Sequence, residues 1–172
     1  RFAPPLIVER EQLDWAVARG FAHIFADTRE GMMVVHAPIV ASGTGAVRFH
    51  VSRGNRMTPH LDGARVLLSI AGPDGYITPN WYIEPAGSVP TWNYVSAEID
   101  GTARVLDEES LVNQLDILAS LHEPRVAPDR PWTRDKMPEE RFRAMLGAIT
   151  GFEVTIAAIR GTTKLSQNKN DA

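Results

Sequence analysis

Residues 89–105, VPTWNYVSAEIDGTARV, decide the class of fold. From Val95 to Val105 apolar and polar residues alternate, which is the pattern of a strand with one buried face. The preceding residues 90–94, PTWNY, place two aromatic rings next to amide and hydroxyl side chains. We therefore predict a strand whose entrance carries a group of aromatic and hydrogen-bonding side chains.

The rest of the chain favours a mainly β fold with few helices. Strands are predicted at residues 21–26, 32–40, 46–51, 64–71 and 151–160, and residues 72–75, GPDG, are predicted as the turn that ends the fourth. A first helix is predicted at residues 9–19. A second is predicted to begin at an Asp107 cap and to end at residues 122–124. A third is predicted to begin at Pro138, with residues 142, 145, 146 and 149 facing the protein interior. A βαβ rhythm is absent, so we expect a single domain, residues 1–172, built as an antiparallel β-barrel with peripheral helices.

The composition excludes several classes of protein. The chain has 172 residues, a net charge of −3 and no cysteine, which excludes disulfides and thiolate chemistry. A net negative charge is not expected of a domain that binds nucleic acid through its phosphates. No apolar run approaches the ~20 residues that span a bilayer, so no membrane association and a cytoplasmic location are expected.

Residues 49–56, FHVSRGNR, form a cluster of donors where a strand is predicted to end. Ser52, Arg53, Asn55 and Arg56 supply hydroxyl, guanidinium and amide groups, and Gly54 allows the backbone to bend. Charge with converging donors suits a phosphate monoester. The alternative is a solvated turn that happens to carry arginines.

Two aromatic segments are predicted to share one loop. Residues 75–82, GYITPNWY, and residues 90–94 together hold five aromatic rings beside amides. Such a group can flank a planar heterocycle or close the end of a barrel as a small aromatic core. Residues 164–169, KLSQNK, matter to the same site only if they fold back over it.

No catalytic or metal motif is present. The chain has no nucleophile–base signature, P-loop or zinc-protease motif. His122 and Glu123 are interpreted as a helix end, and His23, His36, His50 and His60 are scattered core or surface residues. We therefore predict no catalytic residue and no metal site from local sequence.

Several sequence motifs of the chain resemble those of a known family. YITPNWY, VPTWNYV, the His-Glu pair after a helix and GFEVTI followed by KLSQNK occur in the order typical of the PaiB-type FMN-binding negative transcriptional regulators. HAPIV and FHVSRGN fit earlier blocks, so the resemblance covers nearly the whole chain. It implies the FMN-binding split barrel, a homodimer with flavin at the subunit interface, related to pyridoxamine-phosphate oxidases and small flavin reductases.

The resemblance also implies cofactor-binding residues. Ser52 and Arg53 match the pair that holds the FMN phosphate in the wider split-barrel group. The other residues that match family blocks are His50, Asn55, Trp92, Asn93, Lys164, Ser166 and Gln167. The chain departs from the family where Arg56 and Met57 replace a proline and an aromatic residue, and where Val35 precedes His36 instead of a polar residue.

The predicted function is therefore FMN binding in a PaiB-type regulator. The alternatives are a flavin-dependent oxidoreductase, similar to pyridoxamine-phosphate oxidases or flavin reductases, a haem-binding split barrel using His50 or His60, and a dimer module without a cofactor. Direct DNA binding has little support, because residues 122–143 carry mixed charge and the two clear helices are separated by a long loop.

Overall fold

A computed structural model describes residues 9–43, 45–82 and 87–166 of the chain. Within them lie six strands, three α-helices and three single turns of 3-10 helix. The strands are β1 (Phe21–Thr28), β2 (Gly31–Ser42), β3 (Ala46–Ser52), β4 (Arg65–Ile77), β5 (Thr91–Val105) and β6 (Ile149–Lys164). The helices are α1 (Glu9–Arg19), α2 (Glu108–Val126) and α3 (Glu139–Leu146).

The strands form a closed antiparallel barrel in the order β1-β2-β3-β6-β5-β4. The barrel closes where β4 pairs with β1, and Leu68 of β4 lies opposite both Ile24 of β1 and Ile99 of β5. This confirms the predicted mainly β, antiparallel barrel with helices at its periphery.

The alternation in residues 95–105 becomes one wall of the core. Ala97, Ile99 and Ala103 of β5 are buried inside the barrel, as predicted, whereas the prediction is wrong for Val105, which is exposed at the end of the strand. Phe49 of β3 stacks on Phe152 of β6 with ring centroids 5.4 Å apart. The barrel interior is therefore filled by side chains, and ligands must bind to its outer surface or its ends.

The predicted turn at residues 72–75 is wrong. β4 continues through this segment to Ile77, and its pairing with β5 shifts register between Ala71 and Asp74. A bulge absorbs one extra residue of β4, and the ladder resumes with Asp74 opposite Tyr94. As a result, β5 begins at Thr91, and the aromatic segment lies within the strand rather than ahead of it.

The predicted helix starts are confirmed, but the predicted end of α2 and part of the predicted buried face of α3 are wrong. Asp107 caps α2 by accepting a hydrogen bond from the Ser110 N–H at 2.7 Å, yet α2 continues through Pro124 to Val126. A proline in the last turn removes only one bond, so the helix survives it. In the short α3 the inward residues are Phe142 and Leu146, while Met145 is exposed and Ile149 already belongs to β6.

The pairing between β2 and β3 ends before either strand does. It runs from Ser42 opposite Ala46 to Ile39 opposite Phe49. Beyond that point β2 stays with β1 and β3 stays with β6. Pro38 is the first residue of β2 past the ladder, where a residue without an N–H sacrifices no hydrogen bond to β3. The barrel wall is therefore divided at this end.

No helix in the described part of the chain is long and apolar enough to cross a membrane.

Gly101 is expected to be essential for the β5–β6 pairing. A Cβ there would lie 2.3 Å from the Thr155 carbonyl oxygen and 2.6 Å from Val154 Cγ1. We expect Gly101→Ala to lower the free energy of unfolding by about 1–3 kcal/mol in urea denaturation. Gly75→Ala is the matched control, because a Cβ added at Gly75 would meet no atom within 4 Å. Equal stability of the two variants would contradict this account.

Candidate functional site

The predicted site residues form two groups on the barrel. The first group, at the end of β3, consists of His50, Ser52, Arg53 and Asn55. The second group, at the start of β5 and the end of β6, consists of Trp92, Asn93, Lys164 and Ser166. Gln167, the remaining predicted residue, lies outside the described residues.

The turn after β3 is held by its own side chains. Ser52 Oγ accepts a hydrogen bond from the Gly54 N–H at 3.3 Å, and the Ser52 carbonyl accepts one from the Thr58 hydroxyl at 2.8 Å. Asn55 Oδ1 accepts from the Met57 N–H at 2.9 Å. Ser52 and Asn55 therefore fix the path of the backbone on either side of Arg53.

Arg53 projects from this fixed turn as an exposed cation. Its backbone N–H donates to the Ala148 carbonyl at 2.8 Å, which anchors the residue, while its guanidinium has only a long contact of 3.4 Å to the Ile149 carbonyl. No carboxylate forms an ion pair with Arg53 in the part of the chain that the structure describes. Its charge is therefore available to an anionic ligand.

His50 lies on the outer face of β3, two residues before Ser52, beneath α2. Gln114 of α2 is fully buried, and its Nε2 lies 3.3 Å from His50 Nδ1. Burial lowers the pKa of His50 below its ordinary value. His60, the other histidine considered for haem, has its Nε2 3.7 Å from Glu30 Oε1. Gln114 was not predicted, because the pairing of a helix residue with a strand residue leaves no local signal.

The second group contains a fixed aromatic surface. Trp92 is 49% exposed, its Nε1 donates to Asp74 Oδ1 at 3.0 Å, and its ring meets Tyr76 edge to face with centroids 6.1 Å apart. Half of a large ring is thus presented to solvent in one orientation. Asp74 was missed because residues 72–75 were interpreted as a turn.

The Trp-Asn-Tyr block and the Lys-Leu-Ser block meet at this end of the barrel. Tyr94 lies opposite Lys164, the last residue of β6. Ser166 then takes a left-handed conformation with φ of 62° and donates its hydroxyl to Asn93 Oδ1 at 3.0 Å. The closing block therefore does return to β5, as the site would require.

The two groups lie next to opposite ends of β6. Ser52 pairs with Ile149 at the start of β6, whereas Tyr94 pairs with Lys164 at its end. At about 3.3 Å per residue, the fifteen steps between them correspond to roughly 50 Å of strand. This is the length along the strand, and it places the two groups at the opposite ends of β6.

A separate cavity lies away from both groups. Its volume is about 680 Å³, between the second half of α2 and the segment before α3, with Trp132, Arg134 and Asp116 in its lining. Arg134 is bound by Asp116 through two hydrogen bonds of 3.1 and 3.2 Å. None of the predicted site residues that the structure describes lines this cavity.

Comparisons with known proteins agree with the motifs. The family described as "Putative FMN-binding domain" matches residues 8–158. "Protease synthase and sporulation protein PAI 2" of Bacillus subtilis (strain 168) is 34% identical over 123 residues, which are 71% of this chain and 58% of that protein. The chain thus spans less than two thirds of this relative.

Solved structures show the same fold at low sequence identity. The "FAD and Heme binding protein" from Mycobacterium smegmatis superposes with a TM-score of 0.65 at 21% identity, covering 95% of this chain and 74% of that one. A "Putative pyridoxamine 5'-phosphate oxidase" from Corynebacterium glutamicum gives a TM-score of 0.53 at 15% identity, covering 91% and 96%.

Stability is predicted to depend on pH through Glu153 of β6, which lies opposite Arg48 of β3. Glu153 accepts hydrogen bonds from Ser42 and Arg48, both at 2.7 Å, which lower the pKa of its carboxyl below the ordinary 4.5. A depressed folded-state pKa gives stability that is present above pH 4.5 and is lost as the pH falls through the folded pKa. We expect Glu153→Gln to be less stable than the wild type at pH 7, with the difference shrinking toward pH 3.

Ser42→Ala is the matched control for this titration. It removes one of the two donors and keeps the Arg48 pair, so its loss of stability at pH 7 should be smaller. Urea denaturation at each pH measures the difference. A difference between wild type and Glu153→Gln that stays constant from pH 7 to pH 3 would contradict the assignment.

Proposed function

The chain belongs to the family described as "Putative FMN-binding domain" and is of the PaiB type, and from this premise we propose that it binds FMN at the interface of a homodimer. The observation that carries the proposal is the division of the family's motif residues into two groups at opposite ends of β6. Bound FMN would supply one- and two-electron redox chemistry.

The first group has the chemistry of a phosphate site. Arg53 offers a guanidinium that forms no ion pair with any described carboxylate, on a turn whose shape is fixed by Ser52 and Asn55. Guanidinium donors bind phosphate oxygens through charge-assisted hydrogen bonds. The exposed Ser52 hydroxyl lies next to it in the chain and can donate to the same anion. These residues fit the phosphate end of FMN.

The second group has the chemistry of a ring site. Trp92 presents half of its indole to solvent, held by Asp74 and Tyr76. Asn93 and Ser166 add hydrogen-bonding groups beside it. A planar heterocycle can pack against the indole while polar neighbours meet its edge.

In a dimer, a second copy of the chain can bring a first group and a second group together. Around a two-fold axis, the first group of one protomer can face the second group of its partner, and the same arrangement is then repeated on the other side. Two equivalent flavin sites would result, each incomplete in a monomer. This accounts for exposed, pre-organised residues at both ends of one strand.

A regulatory role would act through flavin binding or a partner protein rather than through direct contact with DNA. The net charge is −3. Two arginines of the segment around α3 are already paired, Arg134 with Asp116 and Arg143 with Glu139. A surface that neutralises many phosphates needs unpaired basic groups.

The phosphate assignment predicts a selective defect. We expect Arg53→Ala to weaken FMN binding about tenfold or more, since it removes a charge-assisted contact, and to leave riboflavin binding unchanged. Quenching of flavin fluorescence in titrations of both ligands measures this. Arg130→Ala, an exposed arginine in the α2–α3 loop, is the control and should bind FMN as the wild type does.

Two outcomes would contradict the phosphate assignment. Equal loss of FMN and riboflavin binding in Arg53→Ala would mean that the residue supports the fold or the ring rather than the phosphate. Binding of FMN by neither the wild type nor the variants would remove the flavin proposal itself.

The shared site predicts complementation between two defective chains. Arg53→Ala and Trp92→Ala homodimers should each bind FMN weakly. When the two are refolded together, about half of the dimers are mixed, and each mixed dimer carries one site with both residues intact. We expect tight FMN binding to reappear in the mixture, measured by titration of the purified mixed dimer.

The matched control for complementation combines Arg53→Ala with Ser52→Ala. Both changes affect the first group, so neither site of that mixed dimer is intact, and tight binding should not return. If Arg53→Ala with Trp92→Ala also fails to recover while mixed dimers form, the two groups do not complete one site across the interface.

A further inference from the structure

Two histidines that take no part in the proposed flavin site stand side by side on the outer surface of the barrel. His23 of β1 lies directly opposite His36 of β2. Their ring centroids are 4.7 Å apart with an interplanar angle of 70°. His36 is exposed and His23 is half-buried, so solvent and small ions can reach the pair.

The register of the two strands explains why the rings are close. Ile39 N–H donates to the Gly20 carbonyl at 3.0 Å, which makes residues 20 and 39 a hydrogen-bonded pair. Bonded and non-bonded pairs alternate along an antiparallel ladder, so His23 and His36 form a non-hydrogen-bonded pair. Side chains approach each other most closely at such positions.

The spacing is that of two ligands on one metal ion. Imidazole nitrogens bind zinc at about 2.0–2.1 Å, and two rings that ligate one ion then have centroids about 4.5 Å apart at a right angle and about 5.2 Å apart at a tetrahedral angle. The observed 4.7 Å falls in this interval. The backbone of two paired strands fixes the positions from which both rings project, so only side-chain torsions have to be ordered on binding.

The surroundings leave the imidazole nitrogens available. The adjacent cross-strand pairs on the same face are Phe25 with Val34 and Phe21 with Pro38, which offer neither charge nor side-chain hydrogen bonds. On the other side of β1, the residue opposite His23 is Ser69 of β4. In the described ranges, no hydrogen bond or ion pair ties either ring to another side chain.

We propose that His23 and His36 form a two-histidine site for a divalent transition-metal ion such as Zn²⁺ or Ni²⁺. Imidazole is a preferred ligand of these ions. Across residues 9–43, 45–82 and 87–166, no group of three or more histidine, cysteine, aspartate or glutamate side chains is placed to hold a metal. The site is therefore open, and water or a small anion completes the coordination sphere.

The test is a calorimetric titration of the untagged, chelator-treated full chain with Zn²⁺. We expect one ion per chain in the wild type. His23→Gln and His36→Gln should each weaken Zn²⁺ binding about tenfold or more, because each leaves a single imidazole. His122→Gln, which removes a histidine at the end of α2, is the control and should bind Zn²⁺ as the wild type does.

A second readout separates binding at this pair from binding elsewhere. Zn²⁺ should shift the ring ¹⁵N resonances of His23 and His36, and it should raise the melting temperature of the wild type and of His122→Gln but not of the two variants. Circular dichroism without metal checks that the variants fold.

Zn²⁺ binding that is equally strong in folded His23→Gln and His36→Gln would overturn the proposal. So would zinc-induced shifts confined to His60, which has Glu30 beside it, or the absence of any binding by the wild type. None of these measurements involves flavin, so the outcome is independent of the proposed FMN site.

Discussion

The pairing of β6 with two neighbours at once is the constraint on which the rest of the structure depends. Residues 149–155 of β6 pair with β3 on one side, and residues 152–164 pair with β5 on the other. Gly101 of β5 allows the close approach to β6, since a Cβ there would collide with the Thr155 carbonyl oxygen, and Gly151 of β6 leaves room for the side chains of Leu106 and Leu111. One strand thereby fixes the positions of both barrel halves.

The same constraint separates the residues of the proposed FMN site. Arg53 follows the strand that pairs with the start of β6, and Trp92 lies at the start of the strand that pairs with its end. Each is supported locally, by the turn after β3 and by Asp74, so neither group needs the other to keep its shape. A symmetric dimer is the simplest arrangement that uses both groups for one ligand.

Local physics predicted much of the fold. Alternation from Val95 identified the buried face of β5, and the carboxylate of Asp107 marked the start of α2. The bulge in β4 could not be predicted, because Gly72 and Pro73 favour a turn in isolation, and only pairing with β5 keeps the strand going. Local propensity and long-range pairing gave opposite answers there.

The site was less predictable than the fold. Its residues came from the resemblance to a family, while the donors around Arg53 were ambiguous on local sequence alone. Asp74 and Gln114, which orient Trp92 and contact His50, are far from them in sequence and became visible only in the folded chain. The distance between the two groups also depends on strand register, which no single segment encodes.

The length of β6 also limits how this family can change over evolutionary time. Adding or removing one residue between Phe152 and Lys164 would turn every later side chain to the opposite face and shift Tyr94 away from its partner. Substitutions on the outer face keep that register. Outside a bulge such as the one in β4, insertions are best tolerated where no ladder is present, as in residues 127–133 between α2 and α3. Variation in length should therefore accumulate in such loops, while the number of residues in β6 should stay constant.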